Sequence, residues 1–151
     1  MSKSIPISVK ATIVVNASPE AVWDYTQNWQ YRREWDSSVV EVIKIEDSPS
    51  KNVRARFKGG VEFLVQYKIG ERPLRTGLAM IESNSQWMVG GGGSWQYKSA
   101  GNSTEWCQQN TIVFRNHFLI RFFGPVIKLL LQASTLTNMK KAKGIIEART
   151  R

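Results

Sequence analysis

Between residues 5 and 15 the chain alternates, with Ile7, Val9, Ala11, Ile13 and Val15 on one face and Ser8, Lys10, Thr12 and Asn16 on the other. That is the period of a half-buried strand. Ser18 then stands where a helix cap would, Pro19 takes the first helical position, and Ala21, Val22 and Tyr25 follow at helical spacing, with Glu20 and Asp24 adding negative charge early in the helix. A second short helix is expected over residues 29–35. From Val39 the period returns to two, over 39–46, 53–58, 61–69 and 74–82, parted by Asp47-Ser48-Pro49-Ser50, by Gly59-Gly60 and by Arg72-Pro73. Short strands joined by short turns predict an antiparallel meander. In the clearest of them Val61, Phe63, Val65, Tyr67 and Ile69 alternate with Glu62, Gln66 and Lys68. The run VVEVIKIE at 39–46 is apolar on both faces, so its register stays open.

A last hairpin is expected from 95–98, a turn at 100–103 and a strand at 104–114. It puts Thr104, Trp106, Gln108, Asn110, Ile112 and Phe114 on one face. Buried amides need partners, so this mixed lining makes sense beside a ligand or trapped water. Ahead of it, residues 90–93 are four glycines, which read as a flexible loop or a strongly bulged strand. A phosphate cradle is excluded, because no Lys-Ser or Lys-Thr follows and the next element is a strand.

The period changes once more at the end. Gly124 and Pro125 suit a helix start, and Val126, Leu129, Leu130, Ala133, Leu136, Met139, Ala142 and Ile146 recur at spacings of three and four, opposite Lys128, Gln132, Asn138, Lys141 and Glu147. A helix of about 25 residues would be ~37 Å long. Its apolar stripe needs an equally long partner, which a curved sheet would supply.

Size and composition narrow the class. At 151 residues, with 42% hydrophobic and 22% charged, the chain reads as a single domain over 1–151 with a substantial core, and six Trp make aromatic rings a large part of its packing. Trp23, Trp29 and Trp35 are accordingly read as packing anchors. The single cysteine, Cys107, allows no intramolecular disulfide and no multi-cysteine zinc site, and reads as an inert buried thiol. With no apolar leader at the N-terminus and no uninterrupted apolar run of about 18 residues, a soluble cytoplasmic protein is expected. The net charge of +9 raises nucleic acid, anionic membrane or acidic ligand as partners. The tightest basic group, Lys140, Lys141, Lys143, Arg149 and Arg151, lies toward a helix C-terminus, where the dipole favours cations, and this argues against nucleic acid.

One strand, two short helices, six strands and a long C-terminal helix is an order that resembles the START-like superfamily, also called SRPBCC or the helix-grip fold. This group includes polyketide cyclases and lipid-transfer domains. VVNASPEAVWDY at 14–25 is similar to its strand-to-helix junction, Trp35 to the tryptophan ending its second helix, and SWQY at 94–97 with GNSTEW at 101–106 to its last hairpin, where Asn102 and Ser103 replace the usual second-glycine pattern. The resemblance implies an α+β fold in which an antiparallel seven-stranded curved sheet grips the C-terminal helix around a cavity. Alternation lines that cavity with Phe63, Val65, Tyr67, Trp95, Tyr97, Trp106, Gln108, Asn110, Leu129, Ala133 and Leu136, the last three also reading as core.

The expected function is binding or transport of a hydrophobic lipid, quinone or polyketide-like molecule. A cyclase/dehydrase-like enzyme and a ligand-free interaction module are the alternatives. No catalytic constellation stands out: His117, the only histidine, has no carboxylate partner in sequence and reads as a surface loop residue. One His and one Cys make no conventional metal site, and no cofactor motif occurs. Phe118, Leu119, Ile120, Phe122 and Phe123, set just before the helix beside Arg115, Arg121 and Lys128, read either as interfacial membrane contacts or as a barrel cap or dimer face, so the chain is expected as monomer or homodimer.

Overall fold

The computed structural model describes residues 3–150, so Arg151 of the basic group lies outside them. Strand β1 (Ile5–Val15) is followed by helices α1 (Pro19–Thr26) and α2 (Arg32–Trp35). Strands β2 (Val39–Glu46), β3 (Asn52–Phe57), β4 (Val61–Glu71), β5 (Arg75–Ser83), β6 (Met88–Ala100) and β7 (Ser103–Phe114) come next, and then helix α3 (Phe118–Arg149). The strands form one antiparallel sheet in the order β1-β7-β6-β5-β4-β3-β2. From β2 to β7 each strand pairs with the next in sequence, and only β1 must find a distant partner, running along β7 from Ile5 opposite Phe114 to Val15 opposite Thr104. This is the helix-grip architecture expected from the alternation of the strands and the period of the last helix.

The local signals explain most boundaries. Ser18 Oγ accepts the Ala21 N–H at 3.2 Å, and Pro19 opens α1. Helix α2 is shorter than expected: residues 28–31 make turns, with the Tyr31 N–H on the Asn28 carbonyl, and only Arg32–Trp35 is helical. The four glycines lie inside β6 as paired strand rather than in a loop, with a register shift against β7 between Met88 and Gly90. Their lack of side chains lets neighbouring groups come close: a Cβ on Gly91 would stand 2.6 Å from the Thr111 carbonyl oxygen, and one on Gly93 would stand 2.8 Å from Asn110 Oδ1. Cys107 is half-buried on the face of β7 opposite Trp106, so it is not a core thiol.

Helix α3 departs most from expectation. It begins at Phe118, not Gly124, because His117 is an N-cap whose Nδ1 accepts the Leu119 N–H at 3.2 Å. His117 is therefore a capping residue, packed against the Trp87 and Phe118 rings. Pro125 falls inside the helix, where it cannot donate to the Arg121 carbonyl. By length and composition alone α3 is apolar enough to cross a membrane, with mean hydropathy 1.3 in its best window. The criterion of an uninterrupted apolar run does not detect this, since Arg121 and Lys128 break the run.

The buried stripe of α3 is also rotated from the expected one. Ile120, Asn138, Met139, Ala142 and Ile146 are buried, with Ile127 and Leu131 packed on the first of them, whereas Val126, Leu129 and Leu130 are 51%, 70% and 67% exposed. The presumed polar face does much of the docking. Gln132 brackets Lys10 of β1, accepting its N–H at 3.2 Å and donating to its carbonyl at 2.5 Å. Lys143 donates to the Val14 carbonyl, and Glu147 accepts the Asn16 N–H. These groups satisfy part of the free edge of β1. Arg149 reaches Glu34 of α2 at 3.0 Å, and Glu34 also accepts the Tyr25 hydroxyl; burial, with Glu34 second, raises the Tyr25 phenol well above its ordinary pKa.

The core divides into three clusters. The largest joins Ala11, Val15, Val22, Trp35, Trp95, Tyr97 and Trp106 to Met139, Ala142 and Ile146. A second gathers Trp29, Val39, Val53, Ala55, Phe63 and Val65 under β2–β4, and a third joins Ile7, Phe114 and Ile120.

The rotation of α3 is checked by paired truncations. Met139→Ala should cost about 2–5 kcal/mol in urea unfolding, because Met139 is fully enclosed, while Leu129→Ala should change stability by less than about 0.5 kcal/mol. Similar losses at both sites would contradict the register. Gly91→Ala should cost about 1–3 kcal/mol, since the new methyl group meets backbone rather than a movable side chain; an unchanged midpoint would mean that β6 and β7 separate freely there.

Candidate functional site

The three clusters do not fill the space under the helix, and between the concave face of the sheet and α3 lies a cavity of about 390 Å³. Drug-sized ligand sites span roughly 300–1,000 Å³. Its apolar wall comes from alternate positions of several strands: Phe63 and Val65 of β4, Leu78 and Met80 of β5, Trp95 of β6, Ile112 of β7 and Val9 of β1. Leu131, Ser134, Thr135 and Asn138 face it from α3, and Lys58, exposed in the β3–β4 turn, stands at its rim.

Of the residues expected to line a cavity, Phe63, Val65, Trp95, Gln108 and Asn110 are on this wall. The others are elsewhere. Tyr97 and Trp106 belong to the solid aromatic cluster, because Trp35 and Met139 fill the volume above them; Leu136 packs on the rim of the same cluster. Leu129 and Ala133 are exposed on the outer side of α3, a consequence of the rotation described above. Tyr67 points its hydroxyl at Trp29, accepting from Nε1 at 2.8 Å, and is not part of the cavity surface. In the sequence Trp29 and Trp35 read as packing alone, and Arg32, Asp36 and Asn138 carry no site signal of their own. All five line the cavity. The available signal was the spacing of Trp29, Arg32 and Trp35, which would share one side of a short helical segment.

Two polar chains cross the apolar wall. On β7, Trp95 Nε1 donates to Asn110 Oδ1 at 3.0 Å, and Asn110 Nδ2 donates to Gln108 Oε1 at 2.9 Å. Asn110 thereby spends one donor and one acceptor, and Gln108 gives no N–H to this chain. The missing side chain of Gly93 makes room for the Asn110 amide. At the α2–β2 junction, Asp36 Oδ1 accepts from Ser38 Oγ at 2.5 Å, from the Ser38 N–H at 3.1 Å and from Asn138 Nδ2 at 3.3 Å, while Asn138 Oδ1 accepts from Ser37. Asn138 was expected on the solvated face of the helix; it is instead the tether between α3 and this junction.

Between the chains lies Arg32, only 5% exposed. Its guanidinium carbon is 4.0 Å from the centroid of Trp29, 4.7 Å from that of Trp95 and 5.0 Å from that of Trp35. Among the described residues its ion-pair partner is Asp36, at 3.5 Å. The Tyr67 phenol is raised above its ordinary pKa by burial, with the nearby Arg32 charge pulling the other way. Behind it, Lys51 stacks over Tyr67 and is held below its ordinary pKa by burial. Among the described residues no three His, Cys, Asp or Glu side chains converge on a point.

This architecture recurs in solved structures. The protein TTHA0849 from Thermus thermophilus matches with a TM-score of 0.79 at 17% identity, over 95% of this chain and 99% of that one. The Zhui aromatase/cyclase from Streptomyces sp. R1128 matches with a TM-score of 0.78 at 13% identity, over 97% of each chain. A point mutant of norcoclaurine synthase from Thalictrum flavum, in complex with a transition-state analogue, matches with a TM-score of 0.70 at 11% identity over the full length of both. At these identities the likeness is one of fold. No curated protein is similar in sequence at a significant level. The family model described as polyketide cyclase / dehydrase and lipid transport, however, matches residues 6–144, which takes in nearly all of the sheet and most of α3, and the chain belongs to that family.

Proposed function

We propose that the protein binds an apolar small molecule in the cavity beneath α3 and exchanges it at an anionic bilayer through the exposed half of that helix. The observation that carries this reading is the pairing of two features: a cavity of about 390 Å³ with largely apolar walls, and directly above it a helix whose first half is apolar on its outer side. Phe118, Phe122, Leu129 and Leu130 are each at least two-thirds exposed, at 70%, 76%, 70% and 67%. Contiguous apolar surface of that kind is rarely left to water without a partner.

Charge selects the partner. No Asp or Glu occurs between Glu105 and Glu147, while Arg115, Arg121 and Lys128 flank the exposed rings. Near an anionic surface each such cation contributes about 1 kcal/mol, and apolar insertion supplies the rest. A basic, aromatic half-helix over an apolar cavity has the parts required to pick up a ligand from a membrane.

Cyclase-like catalysis is the second reading, favoured by the likeness to the Zhui aromatase/cyclase. It ranks second because Asp36 is the single carboxylate among the described residues that line the cavity. Its oxygens already accept from Ser38 and Asn138 and pair with Arg32, so they are engaged inside the protein and not turned toward a bound molecule.

Two measurements test this reading. A hydrophobic fluorescent probe should bind the folded protein and be displaced by single-chain lipids, and Val65→Trp, which fills the wall, should weaken it at least tenfold without lowering the melting temperature by more than a few degrees. Failure of any apolar probe to bind would end the carrier reading. In vesicle co-sedimentation, binding should need anionic lipid, fall as salt is raised, and drop at least tenfold in Phe122→Ser/Leu130→Ser. Equal binding to neutral vesicles, or none, would remove the bilayer as partner. A concentration-dependent dimer that the same double variant dissolves would assign the face to a second copy of the chain.

A further inference from the structure

Arg32 is a buried cation whose hydrogen-bonding capacity is mostly unspent. A guanidinium carries five N–H donors in a planar fork. Here Nη1 makes a contact to Asp36 at 3.5 Å, while Nε and Nη2, both shut off from solvent, have no acceptor among the described residues. Three indole rings surround the group and stabilise its charge, yet a π face satisfies no N–H donor lying in the guanidinium plane. The Tyr67 hydroxyl accepts from Trp29 at 2.8 Å and also takes part of a hydrogen bond from Arg32, but this does not satisfy Nε or Nη2. Asp36 cannot turn to satisfy more of the donors, because Ser38 and Asn138 hold its other oxygen. Buried donors without acceptors are costly, and most buried polar groups find a partner. The unpartnered pair is also a particular one: Nε and Nη2 form an edge that meets two oxygens side by side. Arg32 lines the cavity, and Gln108, with its own N–H groups free, lines it too.

We propose that the ligand is an apolar molecule ending in an oxyanion, a carboxylate or an ionised enol, and that Arg32 turns its unpaired edge into the cavity to receive that oxyanion while the body of the ligand lies along Phe63, Val65 and Met80. The inference rests on the ligand-binding reading above and adds to it the charge and orientation of what is bound: the oxyanion goes in first, toward α2, and the chain trails toward the rim. Lys58 at the rim attracts the same ligands from outside but cannot supply the bidentate edge.

Calorimetric titration of the wild-type protein with decanoate, decanol and decylamine tests this without any substitution. Decanoate should bind at least tenfold tighter than decanol, and decylamine more weakly than either. Arg32→Met, which keeps the stem among the indoles, should erase the preference for decanoate over decanol while leaving decanol affinity within about threefold; Lys58→Gln should keep the preference. An alkyl β-diketone separates the two oxyanion sources: if an ionised enol is accepted, its enolate absorbance should appear at lower pH in the presence of wild-type protein and not of Arg32→Met. If only carboxylate is accepted, the enolate absorbance should not move while decanoate keeps its preference over decanol. Equal binding of decanoate and decanol to the wild type, or a preference that survives Arg32→Met, overturns the proposal and leaves the cavity reading standing. Binding of none of these probes overturns both.

Discussion

Three tryptophans keep this molecule from collapsing into a solid core. Trp35, Trp95 and Trp106 meet edge to face, with centroids 5.5–5.9 Å apart. Together with Met139 they fill one end of the space between sheet and helix. Edge-to-face rings are stiff and bulky, and they set the distance at which α3 crosses the sheet. Beyond them Leu131, Ser134 and Thr135 are too short or too far to reach the opposite wall, and the remaining volume stays open. The same cluster supplies two of the rings around Arg32. Core packing and the chemistry of the cavity thus share side chains, and neither can be altered alone.

A second constraint comes from the length of α3. Its 32 residues span ~48 Å at 1.5 Å per residue, longer than a single face of the sheet can cover. The C-terminal half is fixed by Met139, Ala142 and Ile146 inside, by Gln132, Lys143 and Glu147 along β1, and by Arg149 on Glu34. The N-terminal half is held mainly by Ile120, Ile127 and Leu131. One end of the helix is therefore a structural member and the other is a surface.

The sheet is legible in the sequence because its signals are local: Gly59-Gly60, the Asn102 turn and the alternation of Phe63, Val65 and Tyr67 each act within a few residues. The cavity is half legible. Period two places Phe63, Val65, Trp95, Gln108 and Asn110 on the concave face, and they line it. Period two does not say how far along each strand the solid core extends, so Tyr97 and Trp106 cannot be told from cavity residues. Helix α3 misleads for a different reason. Its first half is apolar on nearly every side, and a stripe drawn through Val126, Leu129 and Leu130 is as regular as the buried one through Ile120, Ile127 and Leu131. The choice between them is made by Gln132 and Asn138, polar residues whose partners, Lys10 and the loop at Ser37, are 122 and 101 positions away. Arg32 gives no signal by itself, because a lone arginine in a basic chain means nothing until its surroundings are known; only its spacing from Trp29 and Trp35 places it among rings.

The bracketing of Lys10 by Gln132 has an effect on assembly. An open sheet has two edges, and each can template further strands. Along β1 the middle of that edge is occupied by an amide that both donates and accepts, the way a neighbouring strand would, with Lys143 and Glu147 continuing the line. The helix thus imitates an eighth strand. At the other edge two register shifts of β2 against β3, with Glu41, Lys44 and Glu46 along the strand, spoil the regular spacing that an incoming chain would need. Polymerisation through the sheet is blocked at one side by mimicry and at the other by irregularity.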